Sequence, residues 1–275
     1  MSSFPARLHV LLASQAPVGV ILRRGPSKSV CSILWNLKTD KFELGQWLRG
    51  RIYERRADIS PDGRYLIYFA MNGKWASETK GSWTAISRAP WLKAIVLAAK
   101  GDCWLGGGLF TSNSSYWLNG GCSELIHDSM EVRRDLSFKP VAYYGGECPS
   151  VYYPRLQRDG WILRTKIENG KFNSCTVFEK VHPKKSWILR KFAHEEVGSP
   201  PGKGCYWDEH ELEHPKLERR LSLPKWEWAE FRGDTVLWAE GGCIHRARVH
   251  AKEIGKTETL FDANAMKFEA RAAPY

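Results

Sequence analysis

Ala57 to Met71 reads A-D-I-S-P-D-G-R-Y-L-I-Y-F-A-M, and this stretch decides the fold. Ser60-Pro61-Asp62-Gly63 carries turn chemistry, because proline presets φ and glycine accepts positive φ without steric cost. Arg64 to Met71 then presents Tyr, Leu, Ile, Tyr and Phe, side chains that suit a pleated and buried surface. The stretch predicts an antiparallel hairpin that is apolar on both faces. One such hairpin cannot bury both; repeated copies can, by stacking on one another.

Comparable hairpins extend in both directions. Upstream, Leu8 to Ala13, Val18 to Leu22, Val30 to Leu37 and Phe42 to Leu48 predict a four-stranded antiparallel sheet. The quoted hairpin plus Trp83 to Ser87 forms a second unit, and Ala94 to Ala99, Cys103 to Phe110 and Ser115 to Leu118 a third. Gly106-Gly107-Gly108 inside the third marks close packing or a bulge. Val151 to Leu156, Trp161 to Ile167 and Cys175 to Val181 make a fourth; Trp187 to Phe192, Cys205 to Leu212 and Leu217 to Leu223 a fifth. The last runs from Trp226 to Phe261, and Met266 to Ala270 reads as one more short strand. Proline precedes tryptophan at three expected first strands, Pro90-Trp91, Pro183 to Trp187 and Pro224 to Trp226. Turn signals recur about every 30 to 60 residues, a propeller-like period.

The S-P-D-G turn followed by an apolar strand resembles the blade turn of TolB-like and WD-repeat β-propellers over about 15 residues. The Trp-Asp dipeptide of WD repeats occurs only at Trp207-Asp208, without a Gly-His partner, so the resemblance is to a divergent propeller. It implies an all-β chain forming a single β-propeller domain over residues 1–275. Six blades of three- to four-stranded antiparallel sheets are expected, with five or seven as alternatives.

Composition agrees with large rings packed between sheets: 13 Trp, 10 Tyr and 11 Phe. Seven scattered cysteines with no C-x-x-C pair read as reduced thiols in a cytoplasmic protein. No stretch approaches the roughly 18 apolar residues that span a bilayer, so no membrane insertion is expected. The net charge is +11, and residues 1–56 hold ten Lys and Arg against three Asp and Glu. That asymmetry suits an acidic partner, an anionic ligand or nucleic acid. Arg49, Arg51, Arg55 and Arg56, read as a linker between the first two units, are the candidate partner-binding residues.

Catalytic motifs are sparse. His210-Glu211-Leu212-Glu213-His214 matches H-E-x-x-H and resembles zincin metalloproteases, in which His210 and His214 would bind zinc and Glu211 act as base. A strand there would put His210, Leu212 and His214 on one face and Glu211 and Glu213 on the other, separating base from ligands. No G-x-S-x-G elbow occurs, and Gly198 to Gly204 lacks P-loop spacing. Asp58, Asp102, Asp208, Glu227 and Glu230 lie on or beside expected inner strands, where a carboxylate pair could act on glycosides. Trp75, Trp83, Trp117 and Tyr144 could line a carbohydrate or peptide groove. The expected function is a non-catalytic binding or scaffold protein with a protein partner and no cofactor. A propeller glycoside hydrolase is the alternative, and a zinc metalloprotease a minor one.

Overall fold

The two apolar faces of the Ala57–Met71 hairpin set the arrangement of the strands around it. The computed structural model describes residues 4–25, 28–122, 124–170, 173–198 and 201–275. The chain is all-β, with one α-helix among the described residues and its strands in five sheets. It forms two compact units, Val10–Leu156 with Met266–Tyr275, and Met1–His9 with Gln157–Ala265.

The larger unit opens with β1 (Arg7–Leu12), β2 (Val18–Arg24), β3 (Ser29–Asn36) and β4 (Lys41–Arg49), paired in that order; the boundary between the units falls inside β1. β5 (Arg51–Ile59) and β6 (Tyr65–Met71) form the hairpin, continued by β7 (Ser82–Arg88) and β8 (Ala94–Ala99). β9 (Gly108–Phe110) and β10 (Ser115–Leu118) begin a small third sheet, β11 (Glu124–His127) returns to pair with β8, and β12 (Arg133–Arg134) joins β10 in parallel. α1 (Pro149–Arg158) follows.

The turn is held as its sequence implies. Ser60 Oγ donates to Asp62 Oδ1 at 2.6 Å and accepts from Tyr65 N at 2.9 Å, and Gly63 takes φ +78. Leu66, Tyr68 and Ala70 join a core with Leu11, Val20, Leu22 and Val30 of the first sheet. From the opposite face Tyr65 and Ile67 join Phe110, Tyr116 and Leu118 of the third. The hairpin sheet therefore lies between two others, and each fully buried Leu or Ile contributes about 1.5–3 kcal/mol. The glycine run permits the closeness. A Cβ on Gly107 would stand 2.0 Å from the Arg56 carbonyl oxygen of β5, and one on Gly108 2.8 Å from Cδ1 of Ile67 on β6.

The smaller unit holds β13 (Ile162–Gly170), β14 (Asn173–Val181), β15 (Ile188–Glu196), β16 (Tyr206–His214) and β17 (Arg219–Leu223) in one five-stranded sheet. β18 (Trp228–Arg232), β19 (Thr235–Glu240), β20 (Cys243–Arg248) and β21 (Glu258–Asp262) form a four-stranded one. One face of the first is an ion lattice. Glu179 takes Arg164 and Arg190 at 2.6 Å each, and Arg190 reaches on to Glu211 at 2.8 Å. Burial works against the charge on Glu179, but the two arginines hold its carboxyl below the ordinary range.

Several expectations are corrected. Val151 to Leu156 is helix, and the expected fourth and fifth units are one continuous sheet, because β14 pairs along its whole length with β15, from Asn173 opposite Glu196 to Val181 opposite Ile188; the Pro/Gly-rich loop joins β15 to β16 within that sheet. Ser199 and Pro200 of that loop lie outside the described residues. Met266 to Ala270 is not a strand; the tail is fixed by side chains instead. Phe268 packs 5.9 Å from Trp47, Gln46 Nε2 donates to the Arg271 carbonyl at 2.8 Å, and Tyr275 Oη donates to that of Lys93 at 2.7 Å. Of the three Pro-Trp pairs, only Pro224 to Trp226 precedes the first strand of a sheet.

Gly107→Ala combines positive φ with a backbone clash and is expected to cost about 3 kcal/mol. Gly73→Ala has a similar φ, +72, but nothing within 4 Å of its Cβ, and should cost about 1 kcal/mol. Urea unfolding of the two variants compares them directly. Equal losses would contradict the close-approach reading.

Candidate functional site

On β16 the period of two does the sorting. After the half-buried Tyr206, Trp207 and Asp208 are both buried, and from there His210, Leu212 and His214 stay buried while Glu209, Glu211 and Glu213 are half-buried. The register with β15 then sets Lys191 opposite His210 and Ala193 opposite Asp208, which places a lysine on the buried face. Lys191 Nζ is 3.0 Å from His210 Nε2 and 3.7 Å from Asp208 Oδ2, and lies 4.8 Å from the centre of the Trp161 ring. His210 Nδ1 is 2.8 Å from the Trp226 carbonyl oxygen. Beside this group Glu230 takes Lys180 at 2.8 Å and the Trp161 indole N–H at 3.1 Å. Burial pushes the Glu230 carboxyl up, and Lys180, Trp161 and Lys191 offset that in part. A buried ionic set of this kind holds its members in place rather than adding much net stability.

Asp208 is also one of the residues that line a cavity of about 400 Å³ in the smaller unit. Trp207, Phe4 and Pro201 give it apolar walls, and Trp207 is itself fixed by stacking on His194 at 4.7 Å and 9°. Glu227 and Glu240 add carboxylates, and Arg7, Lys203 and Lys225 add cations. Glu227 Oε1 lies 3.7 Å from Arg7 Nε, and its other oxygen accepts from Leu8 N at 3.2 Å. Size and lining are those of a small-molecule or peptide-end site.

The residues singled out in the sequence are distributed unevenly. Asp208 and Glu227 meet at this cavity; Glu230 belongs to the adjoining Lys180 pair. Asp58 is buried in the larger unit, where Oδ2 accepts from Phe110 N at 2.8 Å, and Asp102 accepts from Trp104 N at 2.9 Å, both structural tasks. The four arginines do not form a loop. Arg49 ends β4, and Arg51, Arg55 and Arg56 lie on β5. Arg55 and Arg56 are buried, Arg55 over Tyr152 and Arg56 between Tyr53 and Phe69, with Nη1 of Arg56 donating to the Cys103 and Leu105 carbonyls. Arg49 and Arg51 are exposed, each resting on a ring, Phe268 and Tyr53. Trp83 is buried, Trp117 packs on Phe138 and Tyr144 on Tyr153; Trp75 is exposed.

The H-E-x-x-H match lies on a strand, as its alternation implied. His214 Nε2 is 2.9 Å from the Ala251 carbonyl oxygen, Glu211 is engaged by Arg190 on the other face, and no trio of His, Cys, Asp or Glu is placed to hold a metal among the described residues. All seven cysteines are free thiols, and burial pushes Cys31 up to about 12. Among the described residues no helix is long and apolar enough to cross a membrane. Compared with known proteins, the chain matches no family model and no curated protein.

Lys191, Lys225 and Glu240 escaped the sequence reading. For Lys191 the signal was there: alternation through Leu189, Lys191 and Ala193 puts a lysine in an apolar row. Removing one member of the buried set exposes its worth. Lys191→Met is expected to cost about 3–5 kcal/mol, and adding Asp208→Asn to recover part of that loss. Denaturant titration of the single and double variants tests this; a single-variant loss under about 0.5 kcal/mol would contradict the pairing.

Proposed function

We propose that the chain is a non-catalytic binding protein, built on a divergent β-propeller in which the sheets serve as blades, and that the cavity beside Trp207 receives its ligand or the end of a partner chain. The S-P-D-G blade turn and the succession of short meandering sheets support the architecture. The observation that carries the function is the state of the cavity's acids. Asp208 is held from behind by Lys191, and Glu227 by Arg7 and the Leu8 amide. Carboxylates so engaged shape and charge a wall; a glycosidase needs one of its pair to act as a proton donor.

The glycoside hydrolase reading is the second one, since Asp208 and Glu227 line one cavity with an aromatic wall. Aryl glycosides separate the two. No hydrolysis above buffer is expected, whereas Pro224→Trp, which fills the cavity from an exposed turn, should abolish capture of a binding partner that wild type and Arg164→Ala both retain. Glycoside hydrolysis lost in both Asp208→Asn and Glu227→Gln would overturn the proposal.

A further inference from the structure

We infer that the cavity beside Trp207 takes a zwitterionic ligand of the amino-acid and short-peptide class, an inference that rests on reading this cavity as the binding site. Charge matching around the wall leads to it. Arg7 is used by Glu227 and by the carbonyls of Gly202 and Lys203, to which its Nη1 donates at 3.2 and 2.6 Å. Lys203 lies 3.8 Å from Glu209, and Asp208 3.7 Å from Lys191. Two lining charges are left. Glu240 and Lys225 make no ion pair and no side-chain hydrogen bond among the described residues.

These two have opposite signs and come from different elements. Lys225 sits between β17 and β18, and Glu240 ends β19. Glu240 is half-buried without a cation of its own among the described residues, and its carboxylate offers the matching charge for a ligand ammonium. Lys225 is exposed and offers the matching charge for a ligand carboxylate. The same wall carries apolar surface from Phe4, Pro201, Pro224 and Trp207. A neutral sugar would leave both charges unmatched. An anion without an amine meets Glu240, Glu227 and Asp208; a cation without a carboxylate leaves Lys225 opposed. One charge of each sign on a short apolar body meets every demand, and a cavity of about 400 Å³ accommodates a dipeptide.

A dipeptide in four charge states tests the inference on the intact chain: Ala-Phe, its N-acetyl form, its C-terminal amide, and the doubly blocked form, titrated by calorimetry. The zwitterion should bind about tenfold tighter than either singly blocked form. Glu240→Gln should remove the penalty for acetylation alone, and Lys225→Met the penalty for amidation alone. Equal binding of all four, or variants that leave their ranking unchanged, would overturn the ligand class while leaving the cavity a binding site. Absence of binding by all four would also overturn it, and partner capture with Pro224→Trp then decides independently whether the cavity binds at all.

Discussion

Face-to-face burial of short antiparallel sheets is the constraint on which the larger unit depends. β6 is buried over most of its length, with alternate residues committed to opposite cores, so neither face can be left to water. Backbone pairing with β5 and β7 satisfies its peptide groups but does nothing for those faces. The sheets on either side supply what is missing. The same demand accounts for the glycines at 106–108, where any side chain would hold the third sheet away from β5 and β6. It also accounts for the buried Arg56 of β5, whose guanidinium lies over the Tyr53 and Phe69 rings and donates to carbonyls of the irregular segment that follows β8.

The smaller unit solves the same problem with more polar material. The outward face of β13–β17 is an ion lattice, and the inward face mixes Leu189, Ala193 and Leu212 with Lys191, Asp208 and His210. A buried lysine facing a histidine and an aspartate is a costly choice if stability is the only aim. It makes sense where one member must keep a fixed position at a cavity wall, and Asp208 is that member. The cavity is thus lined by charges anchored from behind, with Glu240 and Lys225 as the exceptions.

Legibility followed the period-two pattern and failed where that pattern was broken. The hairpin at 57–71 was plain, because turn residues and β-branched or aromatic runs both pointed the same way. β8 and β10 match their expected spans residue for residue, Ala94–Ala99 and Ser115–Leu118. α1 was read as strand because V-Y-Y-P-R-L has aromatic and β-branched residues and a proline, and its helix is stabilised by contacts distant in sequence, such as the Arg155 bond to the Ala57 carbonyl. The arginines at 49–56 looked like a charged linker for the same reason: nothing local announces that Tyr53, Phe69 and Tyr152 will cover them. At the cavity, Asp208 and Glu227 were visible as acids near strand starts. Their meeting depends on the pairing of separate strands, which no local pattern encodes.

Native-state hydrogen exchange on Leu22→Ala tests the central claim most directly. Leu22 is on β2, in a different sheet from β6, yet shares its core. If neighbouring sheets hold each other's faces, the β6 amides should lose protection as much as those of β2 itself. Faster exchange confined to β2 and its hydrogen-bonded partners, with β6 unchanged, would contradict the account.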